Sequence, residues 1–252
     1  MVLRSRRARL HLFASRTHRW LGLIIGAQLL LWFTSGALMS FLPIDRVHGD
    51  HLINRKAVAA LPTGVPLAPP SAITEASAAP VEAVTYRLWL GRPIAEVTAA
   101  KGTRLFDART GAALPAPTAI DAEAVARAAW RGDGRPEAKV DRIQCPSPEY
   151  RGPLPAWRVA FADADATRVF VAGDTGRIAA VRTGTWRLYD FFWGLHIMDW
   201  SNHENFNTPW LLAFAIGGVA LWLGGAVLLY MRWPKRSRRA SKDQSTLQQG
   251  HA

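Results

Sequence analysis

Four histidines stand near the facing ends of two long apolar runs, among carboxylates and aromatic rings. His48 and His51 belong to the stretch HGDH, which follows the first run. His196 and His203 belong to the stretch DFFWGLHIMDWSNHENFN, which precedes the second run. Imidazoles gathered beside an apolar region are suitable ligands for haem iron or a transition metal. The aromatic rings that would wall a flat slot for haem are Phe191, Phe192, Trp193 and Trp200.

A fifth candidate ligand, His18, lies before the first apolar run, in the stretch HRWLG. If that run is a membrane-spanning helix, His18 and His196 lie about 30 Å apart and cannot hold one haem within one chain. His18 would then need His11, a ligand other than histidine, or the second His18 of a symmetric dimer. His196 could pair with any of the other three histidines on its own side of the membrane.

Each of these assignments has a simpler alternative. Polar and aromatic side chains are common at membrane edges, so His48, His51 and His203 also fit ordinary interfacial or solvated positions. HGDH, with Asp45 close by, could instead bind a divalent cation. The glycine pairs of the second run, seven residues apart, fit either close helix packing or a porphyrin that lies flat against the helix.

The two uncharged apolar runs, 20–42 and 209–231, are each long enough to cross the ~30 Å hydrocarbon core of a membrane as a helix. Backbone polar groups find no partners in lipid, so both runs are expected to be transmembrane helices. The first run is longer than the apolar part of a cleaved signal peptide, which favours a permanent anchor. Asn207 or Thr208 should cap the second helix, with Pro209 at its first position.

Basic residues concentrate in the two terminal segments, and the chain carries a formal net charge of +12. The positive-inside rule places both tails in the cytoplasm of a bacterium, beside anionic lipid headgroups, and the central part in the periplasm. The chain is therefore expected in the inner membrane, with the lipid bilayer as its partner. No groove-reading motif accompanies the arginines, so no nucleic-acid partner is expected. A lone cysteine, Cys145, permits no internal disulfide.

The central part divides by composition and periodicity into a linker, two α+β units and an interfacial segment. Ser71 is the expected cap of a short helix in the linker, and Asp121 the expected cap of a helix that starts the second unit. The expected boundaries are a tail at 1–19, a transmembrane helix at 20–42, a linker at 43–80, units at 81–117 and 118–185, an interfacial segment at 186–207, a transmembrane helix at 208–231 and a tail at 232–252.

The two units share a sequence plan. LFDARTGAAL in the first matches VFVAGDTGRIAA in the second, so a strand ends in a Thr-Gly turn in both. Gly91-Arg92 is the expected turn of a hairpin in the first unit. In the helix of the second unit, apolar residues at helical spacing predict a buried face that consists of Ile120, Val125, Ala128 and Ala129. The repeat indicates a duplicated α+β unit.

HRWLG, FFWGLHIMDW and the Thr-Gly hairpin together make the chain resemble the PepSY-associated transmembrane family, with a PepSY domain at 118–185. The resemblance implies that His18 and His196 occupy positions that carry histidine in the family. Larger relatives with four membrane helices include ferrisiderophore reductases that bind haem, whereas this chain has two such runs. The resemblance therefore implies haem b as a cofactor and a haem-associated redox or iron-uptake role.

In that role an electron would pass from a membrane carrier or partner to a periplasmic acceptor such as a ferric chelate, and the protein would be an oxidoreductase. It could act alone, as a homodimer or within a larger membrane redox complex.

PepSY domains also occur in the propeptides of metallopeptidases, which implies an alternative. The chain would then be a membrane-tethered periplasmic regulator or binding module without enzymatic activity, for example of peptidases. A structural subunit of a membrane complex is the third possibility. The glycine-rich nucleotide-binding motifs and the zinc-protease motif are not found in the sequence.

Overall fold

A computed structural model describes residues 6–55 and 61–232. The helices are α1 (Arg6–Phe41), α2 (Ile44–His48), α3 (Pro70–Ser77), α4 (Ala119–Ala129), α5 (Gly184–Ile197) and α6 (Pro209–Arg232). The strands are β1 (Val81–Trp89), β2 (Arg92–Ala99), β3 (Gly102–Asp107), β4 (Ala138–Ile143), β5 (Ala156–Phe161), β6 (Arg168–Ala172) and β7 (Ile178–Arg182). The expected fold class is confirmed, because two transmembrane helices flank an α+β portion with two small sheets.

The part of α1 up to Thr34 forms one compact unit with α6, together with the short segments Ile197–Asp199 and 205–208. The two apolar helices have spans long enough to cross a membrane at Ser15–Phe41 and Pro209–Tyr230. As expected, α6 begins at Pro209, and the Thr208 hydroxyl accepts a hydrogen bond from the backbone N–H of Leu211. Because α1 already begins at Arg6, most of the segment expected as a basic tail is helical.

Glycines let the two apolar helices approach each other closely. A Cβ atom on Gly217 would lie 2.6 Å from Cδ1 of Ile25, so no larger residue fits there without movement of that side chain. A Cβ atom on Gly22 would contact Leu221 at 3.7 Å. The later residue of α1, Ile25, contacts the earlier residue of α6, Gly217, so the two helices are antiparallel. Gly217 of α6 thus serves helix packing, the simpler of the two interpretations of these glycines.

The first sheet is antiparallel in the order β1-β2-β3, with α3 packed on it. Its core consists of Ile73 from α3 with Ala95, Val97, Phe106 and Ala108. The hairpin between β1 and β2 turns at Leu90 and Gly91, which both have positive φ, rather than at Gly91-Arg92 as expected. Two left-handed residues give the turn the twist that antiparallel strands require. Ser71 lies inside α3 and does not cap it, because the N-cap position is Pro69.

The second sheet is antiparallel in the order β4-β5-β6-β7, and α4 packs on it. The helix buries Ala122, Ala126 and Ala129 against the sheet, whereas Ile120 is 81% exposed. The expected helical face was therefore wrong for Ile120 and Ala128: small alanines allow α4 to lie close to the sheet. Thr118, not Asp121, is the N-cap. Asp121 stands three residues later and accepts the backbone N–H of Thr118, which completes a capping box.

The Thr-Gly turns confirm the predicted repeat. The N–H of Gly111 donates to the carbonyl of Asp107, and the N–H of Gly176 donates in the same way to the carbonyl of Ala172. Both glycines have positive φ, near 70°. Each unit therefore runs helix, three antiparallel strands, Thr-Gly turn. The second adds a full strand after the turn, and the first adds a single bridge between Phe106 and Ala113.

Part of the expected linker belongs to the core of the second unit. Ile53 is fully buried among the side chains of the second sheet and α4, and it forms a bridge with Trp130. The N–H of Asn54 donates to the carbonyl of Ala129 at 2.8 Å. Residues 56–60 lie outside the described residues. After α1 and α2, the chain therefore contributes Ile53 to the core of the second unit before it forms the first sheet.

Candidate functional site

His196 lies in the last turn of α5 and contacts α1. Its Nδ1 atom is 2.9 Å from the hydroxyl oxygen of Ser35. A Cβ atom on Gly36 would lie 3.5 Å from Cε1 of the ring, so the glycine leaves room for the imidazole. Ser35 stands six residues before the end of α1, which places this contact about 9 Å inside the helix end. His196 thus contacts α1 within the span Ser15–Phe41.

The hydrogen bond to Ser35 has a chemical consequence. It fixes the orientation of the imidazole and engages Nδ1, so Nε2 is the nitrogen that Ser35 leaves for a ligand. Histidines that bind a metal usually have their other nitrogen held by a hydrogen bond in this way. α5 itself is positioned by Thr183, whose hydroxyl accepts the backbone N–H of Trp186 in the first turn.

His203 forms a second histidine site, with a carboxylate as its partner. Its Nδ1 atom is 2.7 Å from Oδ2 of Asp190, and its backbone carbonyl accepts a hydrogen bond from the indole N–H of Trp193 at 3.0 Å. The residue has a φ of 57°. The ring lies on Gly194, where a Cβ atom would clash with it. A glycine at that position is therefore required for the His203–Asp190 pair.

His196 and His203 contact different sides of α5. His203 packs on Gly194 and binds Asp190, which stand four residues apart and so share one side of the helix. His196 is two residues beyond Gly194, which rotates it by about 200° around the helix axis. The structure does not place these two rings together on one helix face.

The two histidines after α1 lie on the α+β portion. His48 is exposed at the end of α2. His51 is also exposed, and its Nε2 atom lies 3.8 Å from Oδ2 of Asp165. Asp50, the carboxylate of HGDH, accepts a hydrogen bond from Arg55 at 2.8 Å. Within the described residues no three or more histidine, cysteine or acidic side chains group as metal ligands.

His18 lies in the pair of apolar helices. A Cβ atom on Gly224 would lie 3.2 Å from Cδ2 of the ring, and one on Gly225 would lie 3.7 Å from Nε2. That Nε2 atom is buried and has no hydrogen-bond partner among the described residues. A buried polar atom without a partner costs roughly 1–3 kcal/mol, so a group that supplies a partner would stabilise this part of the protein. The side chain of His11 and the whole of His251 lie outside the described part.

Sequence reasoning did not find the partners of the histidines. Ser35 is one of the few polar residues in the first apolar run, and a polar side chain there could have indicated a hydrogen-bond partner. Nothing in the local sequence distinguishes Asp190 from other surface acids. Two further clusters were also missed: Glu96 between Arg87 and Arg177, and Glu149 between Arg168 and Arg187.

The chain belongs to the family of PepSY-associated transmembrane regions, because the model of that family matches residues 15–251. This family assignment confirms the resemblance and supports a membrane protein of the PepSY class. No curated protein matches the chain. No solved structure matches it either.

Proposed function

We propose that this membrane PepSY protein has a haem-associated redox or iron-uptake role in the bacterial inner membrane. Both termini would lie in the cytoplasm and the α+β portion in the periplasm, where the acceptor would be a ferric chelate or a similar oxidant. The observation that supports the proposal best is the hydrogen bond between Ser35 and His196, because it holds an imidazole beside an apolar span with Nε2 unengaged by the serine.

His196 is the residue that would hold haem b, through Nε2. When bound, the haem would supply one-electron transfer between its ferric and ferrous states. Ser35 would keep the ring in one orientation, and Gly36 would let it lie against α1. The apolar residues around the span would exclude water from the iron.

His18 would be a ligand at a separate site. Its buried Nε2 atom without a partner fits a ligand, but the ring lies against Gly224 and Gly225, so ligation needs the ring to turn or α6 to move. A second His18 from a dimer partner is part of this proposal. His48, His51 and His203 are secondary: His48 and His51 are exposed, and His203 contacts a side of α5 different from that of His196.

A visible spectrum tests the proposal. The full chain, purified in detergent from cells supplied with haem, should show a Soret band that shifts when dithionite is added. His196→Ala should remove most of that band, and Ser35→Ala should keep it with a shifted maximum or potential. Glu82→Gln, which changes an exposed side chain on β1, is the control and should leave the spectrum unchanged. A colourless wild-type preparation, or an unchanged spectrum in His196→Ala, would overturn the proposal.

The alternative is a periplasmic regulator or binding module without redox chemistry, and one observation favours it. The α+β portion has an open pocket lined by three arginines, which suits ligand binding and has no need of haem. A specific complex between the full chain and a periplasmic peptidase, formed equally well with haem-free protein, would support this alternative. A structural subunit would instead be recovered with membrane partners in constant proportion.

A further inference from the structure

The pocket between the two sheets has a volume of about 340 Å³, which suits a small ligand. One wall is the end of β1 and its hairpin turn, another is α4, and a third is the Thr-Gly turn of the second sheet. The pocket therefore lies where the two repeats meet. We call it the intersheet pocket. It does not involve the histidines, and a ligand there does not depend on the haem proposal.

Arginines give the intersheet pocket its charge. Arg55, Arg87 and Arg177 line it, and the described residues that line it include no carboxylate. Glu96 lies behind two of them, and its Oε2 atom accepts hydrogen bonds from Nε of Arg87 and Nε of Arg177, each at 2.8 Å. One carboxylate thus serves two guanidinium groups.

The third arginine is paired separately. Arg55 donates two hydrogen bonds to Asp50, at 2.8 and 3.2 Å. Asp50 balances the charge of Arg55, whereas Glu96 alone balances Arg87 and Arg177. One positive charge therefore remains in excess at the pocket. The Arg87 side chain is only 9% exposed, and burial lowers the pKa of its guanidinium, an effect that Glu96 partly offsets. Nη2 of Arg87 also donates to the carbonyl of Thr175, so Arg177, whose side chain is 45% exposed, carries the accessible part of the excess charge.

The remainder of the wall is apolar apart from Asn54 and one indole. Leu88, Val125 and Ile178 contribute aliphatic surface. Trp89 also lines the pocket, is 9% exposed, and its buried Nε1 atom has no acceptor among the described residues. Gly176 brings the backbone of the turn against that nitrogen, where a Cβ atom would lie 2.6 Å away. The pocket thus combines cations, an unused donor and apolar surface.

We propose that the intersheet pocket binds an organic carboxylate with an apolar body. The carboxylate would bind the excess cation of Arg87 and Arg177, since guanidinium groups pair with carboxylates in a planar, two-point geometry. The apolar body would lie on the aliphatic side chains of β1, α4 and β7. A free acid and the carboxyl end of a peptide share this chemistry.

The binding test uses the full chain in detergent, labelled with 5-fluorotryptophan, and 3-phenylpropionate as the probe. The fluorine resonance of Trp89, assigned with Trp89→Phe, should move on titration with the acid and stay in place with the neutral 3-phenylpropionamide. Acetyl-Leu-Phe with a free carboxyl end is the peptide probe, and its amide is the control. Tighter binding of the peptide acid than of 3-phenylpropionate identifies a peptide end as the source, and the reverse identifies a free acid.

Two variants with the same change of charge separate the pocket from general electrostatics. Arg177→Gln removes the excess cation and should weaken binding of the acid about tenfold or more, as expected for loss of a hydrogen bond between charged groups. Arg109→Gln removes an exposed arginine beside the Thr-Gly turn of the first repeat, outside the pocket, and should change binding by less than about twofold.

Three outcomes would overturn this proposal: no movement of the Trp89 resonance, equal binding of acid and amide, or equal weakening by both variants. None of them bears on the haem proposal, which is decided by the visible spectrum of the same preparation. The two proposals can therefore fail independently.

Discussion

The two repeats of the α+β portion start from one plan and end differently. Both have a helix, three antiparallel strands and a Thr-Gly turn with the same hydrogen bond at its glycine. After the second turn the chain continues with Ile178–Arg182 as β7, whereas after the first turn it forms only the bridge from Ala113. Pro115 and Pro117 follow that bridge and have no N–H to donate, so the fourth strand cannot extend. A turn motif begins a strand, but the residues after it decide the strand's length.

Each repeat also holds one carboxylate between two arginines, with different neighbours. Glu96 of the first sheet binds Arg87 of its own sheet and Arg177, which precedes β7 in the second repeat, so it joins the repeats. Glu149 binds Arg168 of β6 and Arg187 of α5, so it joins the second sheet to the helix that carries His196. Clusters of the same composition therefore connect different parts of the protein in the two repeats.

The largest difference between the repeats is expected at the glycines of their Thr-Gly turns. Gly111→Ala forces alanine to a positive φ and should cost about 1–2 kcal/mol. Gly176→Ala adds a contact of 2.6 Å with the Trp89 indole and should cost about 2–4 kcal/mol. Thermal unfolding of the full chain in detergent should show the larger fall in melting temperature for Gly176→Ala. Equal falls would mean that the two turns have equivalent surroundings.

The next effect concerns pH and Glu149. Burial alone would raise the pKa of Glu149, but hydrogen bonds from Arg187 and Arg168 outweigh it and hold that pKa below the ordinary 4.5. A lowered pKa means that the stabilisation is present above pH 4.5 and is lost as the pH falls through the folded-state value. At pH 7, Glu149→Gln should cost about 1–2 kcal/mol, because the side chain is partly exposed.

The measurement is the melting temperature of wild-type protein and variant from pH 7 to pH 3. The two curves should approach each other at acid pH, where the wild-type carboxyl is protonated. Glu82→Gln, at an exposed position on β1, is the control and should follow the wild type. A constant gap between Glu149→Gln and the wild type over the whole range would contradict the assignment.

The smallest effect is expected at the helix caps. Thr118→Ala removes the capping box of α4 and should cost about 1 kcal/mol, which corresponds to a fall of roughly 2–4 °C in melting temperature. Ser71→Ala should have almost no effect, because the N-cap position of α3 is Pro69 and no side chain caps it. A comparable fall for Ser71→Ala would show that α3 depends on that hydroxyl.

Patterns that depend on near neighbours could be predicted from the sequence. The two apolar runs predicted the membrane helices, because length and the absence of charge are sufficient in lipid. A cap at Asn207 or Thr208 and the paired Thr-Gly turns were predicted because each depends on residues close together in the chain. The cap of α4 and the buried face of the same helix were wrong. Ile120 fits a helical period but lies outside, because the fit to the sheet requires alanines.

The sequence by itself determined that this chain spans a membrane twice, that a duplicated α+β portion lies between the spans, and which histidines deserve attention. Only the tertiary structure decided what each histidine touches. Ser35 and His196 are 161 residues apart in the chain, and Glu96 and Arg177 are 81 residues apart. Their contacts depend on how helices and sheets pack, and packing depends on side-chain shape summed over whole elements. No local pattern of residues carries that information.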